Sequence, residues 1–181
     1  MAKKYSVILC MLILSFISVA YGTKDRYSHD IQKVAGKTLR VEKVYDGDTI
    51  AVFNNGHFEK VRLIGIDAPE MDQKPWGKKA KKCIESFIAD ADSRISLEYD
   101  MERRDKYGRI LAYLWTQDRK MINEEMLKKG CAVLFTIPPN VKYVSRFRAA
   151  QKKAQNHKTG IWGENGLRER PYDYRKEHPR R

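Results

Sequence analysis

Carboxylates and arginines crowd a few short stretches of this chain. Asp46-Gly47-Asp48-Thr49 is followed by Arg62-Leu63-Ile64-Gly65-Ile66-Asp67-Ala68-Pro69-Glu70, and Asp105-Lys106-Tyr107-Gly108-Arg109 lies downstream. Taken singly, each piece reads as a turn or a strand end. Taken together they form a set. Carboxylate and carbonyl oxygens with no histidine or cysteine alongside suit a hard divalent cation. Arg62 and Arg109 suit a phosphate, because the planar guanidinium fork grips two oxygens and keeps its charge near neutral pH. Glu70, at a proline-fixed bend, is expected within reach of a water beside the cation. This set serves attack of water on a phosphodiester, with cation and arginines stabilising the charge that builds on phosphorus.

Something must hold these groups in place. Leu39 and Val41 alternate with Arg40 and Glu42, residues 49–53 continue the β-rich pattern, and Asn54-Asn55-Gly56 signals a hairpin. The next strand is predicted over residues 59–66, completing a three-stranded meander. Asp48 then opens one strand and Asp67 closes another, so both carboxylates are expected at one rim. Trp76, Ala80, Cys83, Ile84, Phe87, Ile88 and Ala91 recur at helical spacing, with lysines 78, 79, 81 and 82 on the other side. Residues 95–99 and 109–115 read as a fourth and fifth strand. Residues 121–129 read as a short helix closed by Gly130, and Tyr143, Phe147, Ala150 and Ala154 space a final helix. Residues 164–181 read as a loose basic tail. There is no internal repeat. Five short strands with an inserted helix suggest a small barrel of the Greek-key kind; the pattern alone leaves other α+β folds open.

The ends read differently from the middle. Lys3 and Lys4 precede an apolar run from Ser6 to Ala20, and Ala20-Tyr21-Gly22 offers a small-residue cleavage site. Residues 1–22 are therefore predicted to be a secretory signal peptide, with an uncleaved membrane anchor as the alternative. Residues 23–37 are a polar, patternless arm, so the domain is expected over residues 38–163. Cleavage would place the protein in the periplasm or outside the cell, where Cys83 and Cys131 are free to form a disulfide. Two buried thiols are an equal reading. No CxxC is present and the four histidines are scattered, which excludes a zinc site of ordinary spacing.

Composition sets the outer limits. The 181 residues are 42% hydrophobic and 33% charged, which excludes a disordered or multi-span chain and leaves room for one core. The formal charge is +13, and loss of two leader lysines brings it to +11. That surplus points to a polyanionic partner.

The motifs VYDGDTIAV, VRLIGIDAPE, RDKYGRILAYL, MINEEMLKKGCA and KTGIW resemble those of the staphylococcal (micrococcal, thermonuclease) nuclease family, over about Thr38 to Trp162. The resemblance implies an α+β fold: a five-stranded OB-fold barrel with three helices. It implies a Ca2+-dependent nuclease that acts on DNA and RNA and leaves 3'-phosphate and 5'-hydroxyl ends. Carried over, Asp48 and Asp67 would ligate Ca2+ by their side chains and Ala68 by its backbone carbonyl, with Asp46 behind them. Arg62 and Arg109 would hold the scissile phosphate, and Glu70 would act as general base or orient the water. Lys106 and Tyr107 would contact the terminal phosphate of the bound nucleotide. The partners implied are DNA and RNA as substrates, with a monomer and no obligate protein partner; the signal peptide would engage the secretion machinery.

Three positions depart from the family pattern. Ala68 replaces a threonine, which a backbone ligand tolerates. The loop after Glu70 is shorter. The strand after Gly130 lacks the family's base-stacking tyrosines, and Phe135 is its only aromatic. A non-catalytic nucleic-acid-binding module of the same fold is the alternative reading. Such a module has no use for Asp48, Asp67 and Glu70, which repel phosphate unless a cation intervenes. A membrane-surface role, with the protein held by an uncleaved N-terminus and supported by the basic tail, is a third reading, though a charged tail is more often simply solvated.

Overall fold

Alternation along the chain sets the barrel wall. In a computed structural model, which describes residues 38–179, β1 (Thr38–Val44) turns Leu39 and Val41 inward. β2 (Thr49–Asn54) buries Ile50 and Val52, and β3 (His57–Leu63) buries Val61 and Leu63. The β2–β3 connection is the two-residue turn that Asn-Gly favours: Asn55 has φ 48° and Gly56 φ 87°. β1 pairs antiparallel with β2, and β2 with β3.

The predicted third strand does not run unbroken to Ile66. It stops at Leu63, turns through Gly65 at φ 78°, and restarts as a two-residue strand, β4 (Ile66–Asp67). A Cβ on Gly65 would lie 2.5 Å from the Phe147 ring, so glycine serves both the turn and the packing there.

Helix α1 (Trp76–Asp90) then leads into β5 (Arg94–Glu98) and β6 (Ile110–Trp115). β5 pairs with β1 and with β6, both antiparallel. β6 closes the barrel by running parallel to β3, with Val61 opposite Ile110, giving the order β1-β2-β3-β6-β5. Helix α2 (Ile122–Lys128) ends at Gly130, whose φ is 61°. A short strand, β7 (Val133–Leu134), pairs with β4 so that Asp67 faces Val133. Helix α3 (Val144–Asn156) buries Phe147, Ala150 and Ala154, as its spacing predicts.

Two features tie the helices to the barrel. Asn123, fully buried on α2, accepts the Leu114 N–H at 2.8 Å and donates to the Ile64 carbonyl at 2.9 Å, clamping the β3–β4 turn to β6. Cys83 of α1 and Cys131, just after α2, form a disulfide with their Cα atoms 6.5 Å apart, which decides between the two readings of the thiols.

The resemblance implies three helices, and among the described residues there are four. Part of the expected loose tail folds as α4 (Pro171–Glu177). Pro171 occupies its start, where the ring's fixed φ suits the first helical turn. No helix among the described residues is long and apolar enough to cross a membrane. The predicted leader and arm lie outside the described residues.

Candidate active site

The β1–β2 loop supplies the first carboxylate. Asp46 turns its Oδ1 back to accept the Asp48 N–H at 3.0 Å. Gly47 lies so close to the rest of the molecule that a Cβ would sit 2.6 Å from that of Ala68 and 2.7 Å from that of Ala80. The loop is thereby seated against both the β4 end and α1. Asp48, buried, accepts the Ala68 N–H on Oδ2 at 2.7 Å and the Thr49 hydroxyl on Oδ1 at 3.2 Å.

Cross-strand pairing brings the guanidinium. Arg62 lies opposite Thr49 in the β2–β3 ladder, so its side chain emerges beside Asp48. One fork nitrogen, Nη1, is 2.7 Å from Asp48 Oδ2, and Nη2 is 2.9 Å from Asp67 Oδ1. Asp67 is wholly buried at the end of β4. Thus Asp46, Asp48, Arg62, Asp67 and Ala68 meet at one end of the barrel wall.

Glu70 joins them through a residue that sequence reasoning missed. Its backbone is held by the Gln73 side chain, which accepts the Glu70 N–H at 2.9 Å, and by Gly77 of α1, where a Cβ would stand 2.1 Å from the Glu70 carbonyl oxygen. Its Oε1 is 2.8 Å from Nη1 of Arg175 on α4, and Arg175 also spans both Asp67 oxygens at 3.0 Å. The signal available in sequence was slight: a proline at a helix start, then Tyr172 and Arg175 three apart and hence on one face.

The electrostatics follow from this crowding. Burial pushes the Asp48 carboxyl up to about 7; Arg62 and the Ala68 N–H oppose the rise, while Asp46 and Asp67 add to it. Arg175 is held above its ordinary range: burial opposes the charge, and the hydrogen bonds to Asp67 and Glu70 overcome it.

The third predicted piece stands apart in its contacts. Arg109 directly precedes Ile110, the partner of Val61, so it lies just before the strand that runs beside that of Arg62. Its Nε is 2.7 Å from Asp105 Oδ2, a pairing within its own turn. Tyr107 is 72% exposed, with Lys106 and Arg109 over its ring at 5.1 and 5.5 Å. The turn is therefore an outward-facing group of two cations and one aromatic. Phe135, the aromatic after β7, donates its N–H to the Gly65 carbonyl at 3.0 Å, and its ring meets that of Tyr172 at 5.4 Å.

Among the described residues no group of three or more His, Cys, Asp or Glu side chains is arranged to hold a metal ion. Two buried carboxylates with a backbone segment between them remain. In kind they fit a hard cation, since the donors are all oxygen. In charge they fit as well: burial is the main cause of the rise at Asp48, Asp46 and Asp67 add to it, and a cation there would favour the ionised form.

Residues 60–164, more than half of the chain, match the family of staphylococcal nuclease homologues. The thermonuclease of Staphylococcus intermedius is 38% identical over 162 residues, which cover 87% of this chain and 92% of that protein. The thermonuclease of Staphylococcus hyicus is 39% identical over 169 residues, covering 88% and 98%. Endonuclease YncB of Bacillus subtilis is 36% identical over 151 residues, covering 77% and 67%.

Proposed function

The chain belongs to the staphylococcal nuclease family and is a nuclease hydrolase, and from that premise we propose that it is a Ca2+-dependent phosphodiesterase. It hydrolyses DNA and RNA to products with 3'-phosphate and 5'-hydroxyl ends. One observation carries the reading: a single arginine fork bridges two buried carboxylates, Asp48 and Asp67. Such an acid pair repels a polyanion unless a cation lies between, so the arrangement suits metal-assisted cleavage better than plain binding.

In this reading Asp48, Asp67 and the Ala68 carbonyl hold the cation, and Asp46 steadies the loop that carries Asp48. Bound Ca2+ supplies positive charge to the phosphate as negative charge builds on it. Arg62, freed from one carboxylate, grips a phosphate oxygen; Arg109 reaches the same phosphate from the adjoining strand. Glu70 orients the attacking water or takes its proton, a contribution of about 10²–10⁴ in rate. Lys106 and Tyr107 meet a neighbouring phosphate at the exposed turn. The Cys83–Cys131 disulfide supports export past the membrane, in keeping with the predicted leader.

The test is digestion of single-stranded DNA and of RNA by the protein with Ca2+ and with chelator, followed by end-group analysis. Cleavage that depends on Ca2+ and leaves 3'-phosphates is expected. Undiminished cleavage in chelator, or 5'-phosphate ends, would overturn the scheme.

A further inference from the structure

Helix α4 lies on the very groups that the proposed reaction needs free. We propose that it is an autoinhibitory lid, with Arg175 occupying the place of the divalent cation; the inference rests on the function proposed above.

Arg175 is placed as a cation would be. Its Nη1 and Nη2 each lie 3.0 Å from one oxygen of Asp67, and Nη1 lies 2.8 Å from Glu70 Oε1. Asp67 Oδ1 also accepts Arg62 at 2.9 Å. A carboxylate gripped side-on by one fork and end-on by another offers no open approach to a doubly charged ion, and two cations cannot share the spot. Glu70, drawn onto the same guanidinium, is turned from a base that receives a proton into the acceptor of a fixed ion pair.

The rest of the segment docks beside this plug. Tyr172, one helical turn before Arg175, sets its ring against Phe135 at 5.4 Å. An accessible aromatic ring is a platform on which a base can stack, and Tyr172 lies against this one. Just before the helix, the Glu169 carbonyl accepts the Gln73 side chain at 3.0 Å. The same Gln73 holds the Glu70 backbone at 2.9 Å, so the lid is fastened to the loop that carries the water-handling carboxylate.

The fastening is light. Tyr172 remains 43% exposed and the Arg175 side chain 34% exposed. Of the seven-residue helix only Pro171 is buried, and the guanidinium that reaches the buried Asp67 keeps access to solvent. Ca2+ and the phosphates of a substrate compete for both sides of the pairing: the ion for Asp67, the phosphate for the guanidinium. The lid thus opens when both are abundant, and the enzyme stays quiet at low Ca2+.

A lid closed nine-tenths of the time lowers apparent affinity ~10-fold. Calorimetric titration of Ca2+ into the full chain reads this directly. Arg175→Ala is expected to bind Ca2+ ~10-fold more tightly than the unmodified protein, and Tyr172→Ala several-fold more tightly. Hydrolysis by both variants should be faster at sub-saturating Ca2+ and converge with the unmodified rate at saturation. Addition of Ca2+ to the unmodified protein should speed tryptic cutting within residues 168–176. Unmodified protein that cleaves in Ca2+ while Arg175→Ala binds the ion equally or more weakly would overturn the lid alone. If none of the three proteins bound Ca2+ or cleaved, the lid and the proposed function would fall together.

Discussion

Two buried acid clusters in this molecule use the same side chains to opposite effect. On α2, Glu124 is held by Arg146 of α3 through Nε at 2.8 Å and by Lys128 at 3.1 Å. Burial raises its pKa, but the hydrogen bonds from Arg146 and Lys128 outweigh that, and the carboxyl ends below its ordinary value. At the end of β2, Asp48 has Arg62 at 2.7 Å, yet its carboxyl is pushed up to about 7. Both acids are buried and both have an arginine. Burial weighs most at Asp48, and the neighbours add to the difference: Glu124 has Arg146 and a share of Lys128, which also pairs with Glu125, whereas Asp48 shares Arg62 with Asp67 and stands beside Asp46. A cluster with matched charge is complete and holds helices together. A cluster short of positive charge is unfinished, and takes a cation from a ligand or from elsewhere on the chain.

That contrast can be broken experimentally, beginning with rate. Arg62→Lys keeps the charge and loses the fork, so kcat/KM on single-stranded DNA at saturating Ca2+ should fall by ~10²–10³. Arg146→Lys should leave kcat/KM within about threefold, since that arginine serves packing, pairing with Glu124 and lying over the Trp115 and Tyr143 rings. Equal losses in the two variants would erase the distinction.

The next effect is on stability. Opening the Cys83–Cys131 bridge, which links α1 at the site's flank to the end of α2, frees a loop with sequence separation 48. Replacing both cysteines by alanine should cost about 4 kcal/mol on the chain-entropy account, read by urea unfolding. Arg146→Met follows: leaving Glu124 with Lys128 alone, a cation it shares with Glu125, should cost about 1–3 kcal/mol at pH 7. The depressed carboxyl contributes stability that is present above its ordinary value of 4.5 and is lost as pH falls through its lower folded value. The penalty of Arg146→Met should therefore shrink in acid.

The smallest effect has the opposite sign. Between 3.8 and about 7 the folded protein keeps a proton on Asp48 that the unfolded chain has released, so stability falls as pH rises through that interval. In chelator, Asp48→Asn should stabilise the protein at pH 8 and hardly at all at pH 4. A variant that is less stable than the unmodified protein at pH 8 would show that Asp48 is as well compensated as Glu124.

Local pattern carried much of this molecule. The alternation of Leu39 and Val41 is borne out as an inward strand face, residues 49–53 lie in the strand expected of them, and Asn55-Gly56 turns into the next. Asp48, Arg62 and Asp67 were legible as a group because each sits at a strand end or on an outward strand position, where alternation already says which way it faces. Other features were not legible, because they depend on partners distant in the chain. Gly65 marks a turn by its type, but nothing local shows that Phe147 of α3 packs where its Cβ would stand. Asn123 looks like any polar helix residue until the Ile64 carbonyl and the Leu114 amide meet it.

Residue types and their spacing determined the chemistry on offer here: oxygen donors, guanidinium forks and a strand-rich frame that points them outward, because backbone periodicity is a local property. The tertiary structure alone decided which of those groups touch. Arg175 lies 108 residues from Asp67, and no local rule selects that partner. It is selected by unmatched negative charge at the barrel's end, which appears only once the chain has closed around it.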